Sequence, residues 1–333
     1  MNFTTIRRVF ILSIALGASF LSHSQDAIFS QFYSTPLQIN PAFAGNTIAP
    51  RVALAYRDQW HNFNNAFSTA AVTYDQLVPR LNSGFGLSLS SDRAGDNIYQ
   101  KNQIGVNYAY RLEIKNDLFV KIGIEAGATN TSVDWNRLVF LDQLDPIGGV
   151  VNATQEVKPA NLSRTYLDIS SGFLVYGPKF YAGLSLKHLN TPDESFIQQN
   201  SNLNLGLPIR YAFTAGTQIP LDGRNIRKTK TFLSPNILVV KQGPYAQVNL
   251  GAYAGFGTVF AGAWYRHTSR NSDALIGQVG FEKGIFKVGY SHDFTINGLP
   301  NTWGAHEISL VFNFDALYDR SKPDYNDCFK IFR

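Results

Sequence analysis

Two histidine and carboxylate neighbours, His292-Asp293 and His306-Glu307, are the first residues in this chain whose types suggest chemistry. A histidine oriented by a carboxylate is a common general base, but both side chains must lie on one side of the backbone. Adjacent residues of a strand point to opposite faces, so neither pair can act as base and orienter. The other histidines beyond residue 24, His61, His188 and His267, stand in no HExxH, CxxC or GxSxG context. A lipid-cleaving enzyme or protease would need serine, histidine and a carboxylate or amide converging on one face. No metal set and no cofactor-binding motif emerges, so the expectation is a protein that is not an enzyme.

The elements that carry these residues come from the pattern of the whole chain. The 333 residues are 44% hydrophobic but only 16% charged, against roughly 25% in a soluble domain. Such a shortfall argues against water on every side. Arg7, Arg8, the apolar run Val9 to Leu21, and Ser22 and Ser24 read as a secretory signal covering 1–24. The run is shorter than the ~20 residues that span a bilayer as a helix. Losing Arg7 and Arg8 lowers the net charge from +5 to +3, too little for nucleic acid. The single cysteine, Cys328, excludes both an internal disulfide and a lipid anchor near the start.

Beyond the signal, the dominant pattern has a period of two. Ile104, Val106, Tyr108, Tyr110 and Leu112 alternate with Gln103, Gly105, Asn107, Ala109 and Arg111. Ile122 and Ile124, Leu184, Val288, Ile308, Leu310 and Phe312 sit in similar runs. Their polar partners are Gly, Ser, Asn and Gln with scattered charges, which fits a transmembrane β-barrel with lipid outside and a polar lumen. About fourteen antiparallel strands are expected, starting near Arg51, Phe67, Gly84, Lys101, Leu118, Tyr166, Phe180, Ile209, Thr231, Tyr245, Thr258, Ala274, Ile285 and Ala305. The ninth is the weakest, because Pro235 lies inside it.

Alternate connections are long and short, as in bacterial barrels with long outer loops and short periplasmic turns. The longest, Asn130 to Thr165, is expected outside the cell as a contact element, although a loop folded into the lumen or a disordered one remains open. The organisation expected is a signal over 1–24, a periplasmic N-terminal segment over 25–50, an outer-membrane barrel over 51–315 and a periplasmic tail over 316–333.

Several motifs resemble the PorP/SprF family of type IX secretion system outer-membrane proteins. They are Phe29-Ser30-Gln31-Phe32-Tyr33, Ile39-Asn40-Pro41-Ala42-Phe43-Ala44-Gly45, Tyr56-Arg57-Asp58-Gln59-Trp60, Asp92-Arg93-Ala94-Gly95, Gly289-Tyr290-Ser291-His292-Asp293 and His306-Glu307-Ile308-Ser309-Leu310. One departure is mild: His292 stands where an aromatic is expected. The resemblance implies a barrel in the cell outer membrane that serves protein secretion and, in some bacteria, gliding motility. Implied partners are the large outer-membrane translocon, periplasmic ring proteins, cargo with C-terminal sorting domains, and membrane lipid. It marks Asn40, Pro41, Gly45, Tyr56, Arg57, Gln59, Trp60, Asp92, Gly95, Gly289, Tyr290, Asp293, His306 and Glu307 as candidate contact residues.

Physical roles for some of these follow from residue type. Asn40-Pro41 favours extended backbone and Gly45 allows positive φ, so this stretch is expected to turn and seat the N-terminal segment against the barrel. Tyr56 and Trp60 suit the headgroup girdle, and Arg57 suits a lumenal carboxylate partner. Lumenal Lys101, Arg111, Lys121, Glu125, Lys187, Lys287 and Glu307 keep a second reading open, an outer-membrane porin or transporter for small solutes.

Overall fold

The computed structural model describes residues 25–63, 66–115, 117–145, 147–196, 206–223, 231–269, 273–296 and 303–317. The signal over 1–24 and the tail beyond 317 lie outside the described residues.

Fourteen strands form one closed antiparallel barrel. They are β1 (Arg51–Gln59), β2 (Phe67–Val78), β3 (Ser83–Ala94), β4 (Tyr99–Lys115), β5 (Leu118–Val133), β6 (Ser163–Tyr176), β7 (Phe180–Lys187), β8 (Arg210–Thr217), β9 (Thr231–Gln242), β10 (Tyr245–Phe256), β11 (Val259–Thr268), β12 (Ala274–Lys283), β13 (Phe286–Thr295) and β14 (Ala305–Asn313). Each strand pairs with its sequence neighbours, and β1 pairs with β14 from Arg51↔Asn313 to Gln59↔Ala305, which closes the barrel. Closure removes every sheet edge, the condition for strands to lie in lipid.

Pro235 is accommodated within β9 for a visible reason. The neighbouring ladder breaks there: Gly216 pairs with Asn236, and pairing resumes only at Ile219 with Leu233. The N–H that proline lacks has no partner to serve at this step.

The expected facing holds along the strands. Ile104, Val106, Tyr108, Ile122, Ile124, Leu184, Val288 and Ile308 are exposed on the outer wall, while Lys101, Lys121, Glu125, Lys187, Lys287 and Glu307 are buried on the inner one. Long connections share one end of the barrel with the β1–β2 turn. The segment 134–162 is a folded loop there, with two single-turn helices and a short hairpin pairing Leu144–Asp145 with Gly149–Val150. Asp145 Oδ1 accepts from the N–H groups of Ile147 and Gly148 at its tip. At the other end, turns such as Gly257-Thr258 and Gly284-Ile285 are tight, each with its glycine at positive φ.

Two expectations need correction. The segment 25–50 does not sit outside the barrel: it runs through the lumen. The lumen is also not simply polar. Phe32, Tyr33, Leu37, Ile39 and Phe43 of the segment form one buried cluster with Phe119, Leu174, Tyr181, Leu238, Tyr253, Phe260 and Trp264 of the wall. The physical reason is composition. Asp26 is the only charged residue between Gln25 and Pro50, and so aromatic a stretch gains more from burial than from water.

The direction of the segment is fixed by its contacts. Asp26 bonds Lys101, His188 and Arg210 at the long-loop end. The Ala49 N–H donates to Asp315 Oδ1 at the opposite end, from which β1 departs. One chain flank therefore crosses the full height of the barrel.

Candidate functional site

The lumenal segment binds the wall at three places. The first is an ionic pocket built by β1, β11, β13 and β14. Alternation turns Arg57, Arg266, Asp293 and Glu307 inward, and strand pairing brings them level. The Glu307 carboxylate takes the backbone N–H groups of Ser30 and Gln31, one on each oxygen, at 2.8 and 2.7 Å. Arg57 bridges Asp293 at 2.9 Å and Glu307 at 3.3 Å, and Arg266 reaches Asp293 at 2.7 Å. At the centre, the Ser30 hydroxyl donates to Asp293 and accepts from both guanidinium groups. Buried charges are stable only when paired and fully hydrogen-bonded, and here the segment supplies several of the partners.

The second place is a shelf of small residues. Asn40 caps a single helical turn by accepting from the Ala42 N–H at 2.8 Å, and its amide donates to the carbonyls of Phe173 and Leu184. Gly172 and Gly123 let the backbone and Asn40 lie directly on the wall: a side-chain carbon at 172 would collide with Asn40 Oδ1, and one at 123 with the Ala42 nitrogen. Gly45 follows at φ 65°, and its N–H donates to Asp75. Lys121 bonds the Ala44 carbonyl, and Arg51 ties Asp75 to the Ser34 carbonyl.

The third place is the long-loop end. Asp26 Oδ2 lies 2.7 Å from His188 Nε2 and 3.1 Å from Arg210, while Oδ1 lies 3.0 Å from Lys101. Burial by itself would raise the Asp26 carboxyl, but these three cations hold it well below the usual carboxylate range. Burial would likewise lower His188, yet Asp26 and Asp168 raise it above the ordinary imidazole value. Above this latch lies an open cavity of about 500 Å³ lined by residues including Arg57, Gln59, Trp60, Asp92, Tyr99 and Tyr245.

The sequence candidates divide accordingly. Arg57, Asp293 and Glu307 meet in the ionic pocket, with Gly289 beneath Gln31. Asn40, Pro41 and Gly45 lie within the lumen, so the periplasmic placement expected for the segment that carries all three does not occur. Gln59, Trp60 and Asp92 belong to the mouth at the long-loop end, where Asp92 accepts from Thr69 at 2.6 Å. Gly95 forms the β3–β4 turn at positive φ. Tyr56 and Tyr290 face outward and are exposed, and the Tyr290 hydroxyl lies 2.8 Å from His306 Nδ1. His306 and Glu307 thus occupy opposite faces of β14. Ser30, Gln31, Arg51, Arg266 and His188 were not among the candidates. Ser30 and Gln31 stood in the opening motif, and Arg266 lies at an inward position of a period-two run.

Among the described residues no group of three or more His, Cys, Asp or Glu is placed to hold a metal ion. The arrangement binds a peptide segment through charge, amide and shape.

An apolar outer wall, a closed antiparallel barrel and long loops at one end define an integral β-barrel of the outer membrane. Solved structures similar to it include the toluene transporter TbuX of Ralstonia pickettii, at 10% identity and TM-score 0.46 over 84% of this chain and 94% of that one. Omp33 of Acinetobacter baumannii is similar at 9% identity and TM-score 0.44, over 81% and 100% of the two chains. Among curated proteins none matches in sequence. The family is nonetheless defined by sequence: residues 21–312 match the type IX secretion system membrane protein PorP/SprF, and the chain belongs to that family.

Proposed function

We propose that this protein is a non-enzymatic anchor of the type IX secretion machinery, docking secreted cargo or machine subunits at the two ends of the barrel. The observation that carries this reading is the filled lumen: a wall that buries its own N-terminal segment is built for holding rather than for diffusion. Family membership supplies the secretion context. The outer loop supplies a contact surface, with Leu141 88% and Ile147 99% exposed. Exposed apolar side chains clustered on one loop favour protein contact. A scaffold role also agrees with motif residues spent on packing rather than on a reacting centre.

Affinity capture of the tagged full chain from its native outer membrane tests the proposal. Co-purification of the large translocon, periplasmic ring proteins or sorted cargo is expected, and should fall when Leu141 and Ile147 are changed together to Asp. High single-channel conductance of the purified barrel, with none of these proteins captured, would support the porin reading instead.

A further inference from the structure

The segment 25–46 touches nearly the whole circumference. Ser30, Gln31 and Ser34 bond β13, β14 and β1; Asn40 and Ala42 lie on β5, β6 and β7; the Gln38 carbonyl accepts from Arg210 at the start of β8. Phe32, Tyr33 and Phe43, its widest side chains, are almost fully buried. At Gly172, Gly123 and Gly84 the wall meets the segment with no room for a single additional carbon. A segment this wide could not be threaded through a finished barrel so closely fitted to it.

The contacts also concentrate on the β1–β14 junction. Arg57 of β1 and Glu307 of β14 both bond the Ser30-Gln31 stretch, the Gln31 amide donates to the Glu307 carbonyl, and Ser34 meets Ser309. Without the segment, Glu307 would keep only Arg57 among these partners. Closing this junction joins residues hundreds of positions apart, a costly search. The contact between Ser34 and Arg51 spans only 17 positions, so the segment can dock on β1 early and present binding groups to β14.

We propose that the inner wall is a binding site for a turn-rich, aromatic peptide, the chain's own residues 25–46, and that the β1–β14 seam closes on the bound segment. The wall is then completed around its ligand. Because the segment holds both sides of the junction, its release from the lumen is coupled to opening of that junction.

The order of events can be trapped in full-length chains during refolding into detergent micelles, all in a Cys328→Ser background. Leu54→Cys with Leu310→Cys reports the seam on the outer wall, where these positions are cross-strand partners. Ser34→Cys with Ser309→Cys reports docking, the two hydroxyls being 3.2 Å apart. In oxidation-quenched time points the docking disulfide should form before or together with the seam disulfide. Glu307→Gln should slow seam trapping about tenfold or more, as expected for loss of charge-assisted bonds, while Ile308→Ala on the opposite face should not. A seam that closes before docking in the parent overturns the proposal, as does a seam rate unchanged by Glu307→Gln. If Glu307→Gln fails to fold, the order measured in the parent decides.

Discussion

The Ser30 end and the Asn40 end of the lumenal segment are held by different physics. Around Ser30, four charged side chains arrange themselves about a hydroxyl and two N–H groups, so the fit depends on buried charges pairing with one another and with the segment. Around Asn40, glycines remove the wall's side chains and the backbone lies directly on the sheet. An ionic pocket fixes the segment's register through the number and direction of its bonds, whereas a shelf fixes it through excluded volume. The first tolerates small displacements but no loss of charge. The second tolerates neutral polar changes but no added atom.

The largest effect should come from the ionic end. Asp293→Ala leaves Arg57 and Arg266 without their shared carboxylate and should cost about 3–5 kcal/mol, read as a lower denaturant midpoint of the barrel in micelles. If the cost were under ~1 kcal/mol, the pocket would be water-filled and the contrast with the shelf would fail. Leu310→Arg, on the lipid side of the strand that carries Glu307, should cost about 2–4 kcal/mol in bilayers if it lies near the midplane. It should leave the Ser34 to Ser309 contact intact, which separates wall insertion from segment binding.

Gly172→Ala sharpens the comparison from the other side, with an expected cost of about 1–3 kcal/mol from overpacking. Shortening the opposing residue, Asn40→Ala, should recover part of that cost in the double variant, measured as a coupling energy in a double-mutant cycle. Additive losses would mean that the shelf is held by the Asn40 bonds and not by shape.

The smallest effect concerns the outer latch and pH. His188 is raised above its ordinary value, so its stabilisation is complete below about pH 6.5 and fades as pH rises through its folded value. Asp26 is lowered, so its share is present above about pH 3.9 and is lost only in acid. The thermal midpoint of the parent should therefore exceed that of His188→Gln at pH 6, and the gap should narrow by pH 9. A constant gap would assign His188 a packing role.

Much of the barrel was legible because lipid imposes a strict alternation, and strands such as β4 show it over Ile104 to Leu112. Arg57 could be matched to a lumenal carboxylate for the same reason. The segment's place was harder to see, because local pattern says nothing about what fills a closed lumen. Two signals pointed to it. Residues 25–50 carry a single charge, and β9 is apolar on both faces over Ile237, Leu238, Val239 and Val240, the mark of a strand buried on both sides. The ionic pocket joins motifs from opposite ends of the chain, and only closure of β1 on β14 makes them neighbours.

The path of the segment alters the parity of the chain's crossings. Fourteen strands are an even number and return the polypeptide to the side where β1 begins, so Asp315 lies at the end of the short turns. The lumenal pass adds one more traverse and makes the total odd. Gln25 and Asp315 consequently lie at opposite ends of the barrel, the first at the long-loop end and the second at the short-turn end. A single barrel of this design presents one flank at each of its ends, and an epitope fused just ahead of Gln25 and another placed after Leu317 should be reached from opposite sides of the membrane.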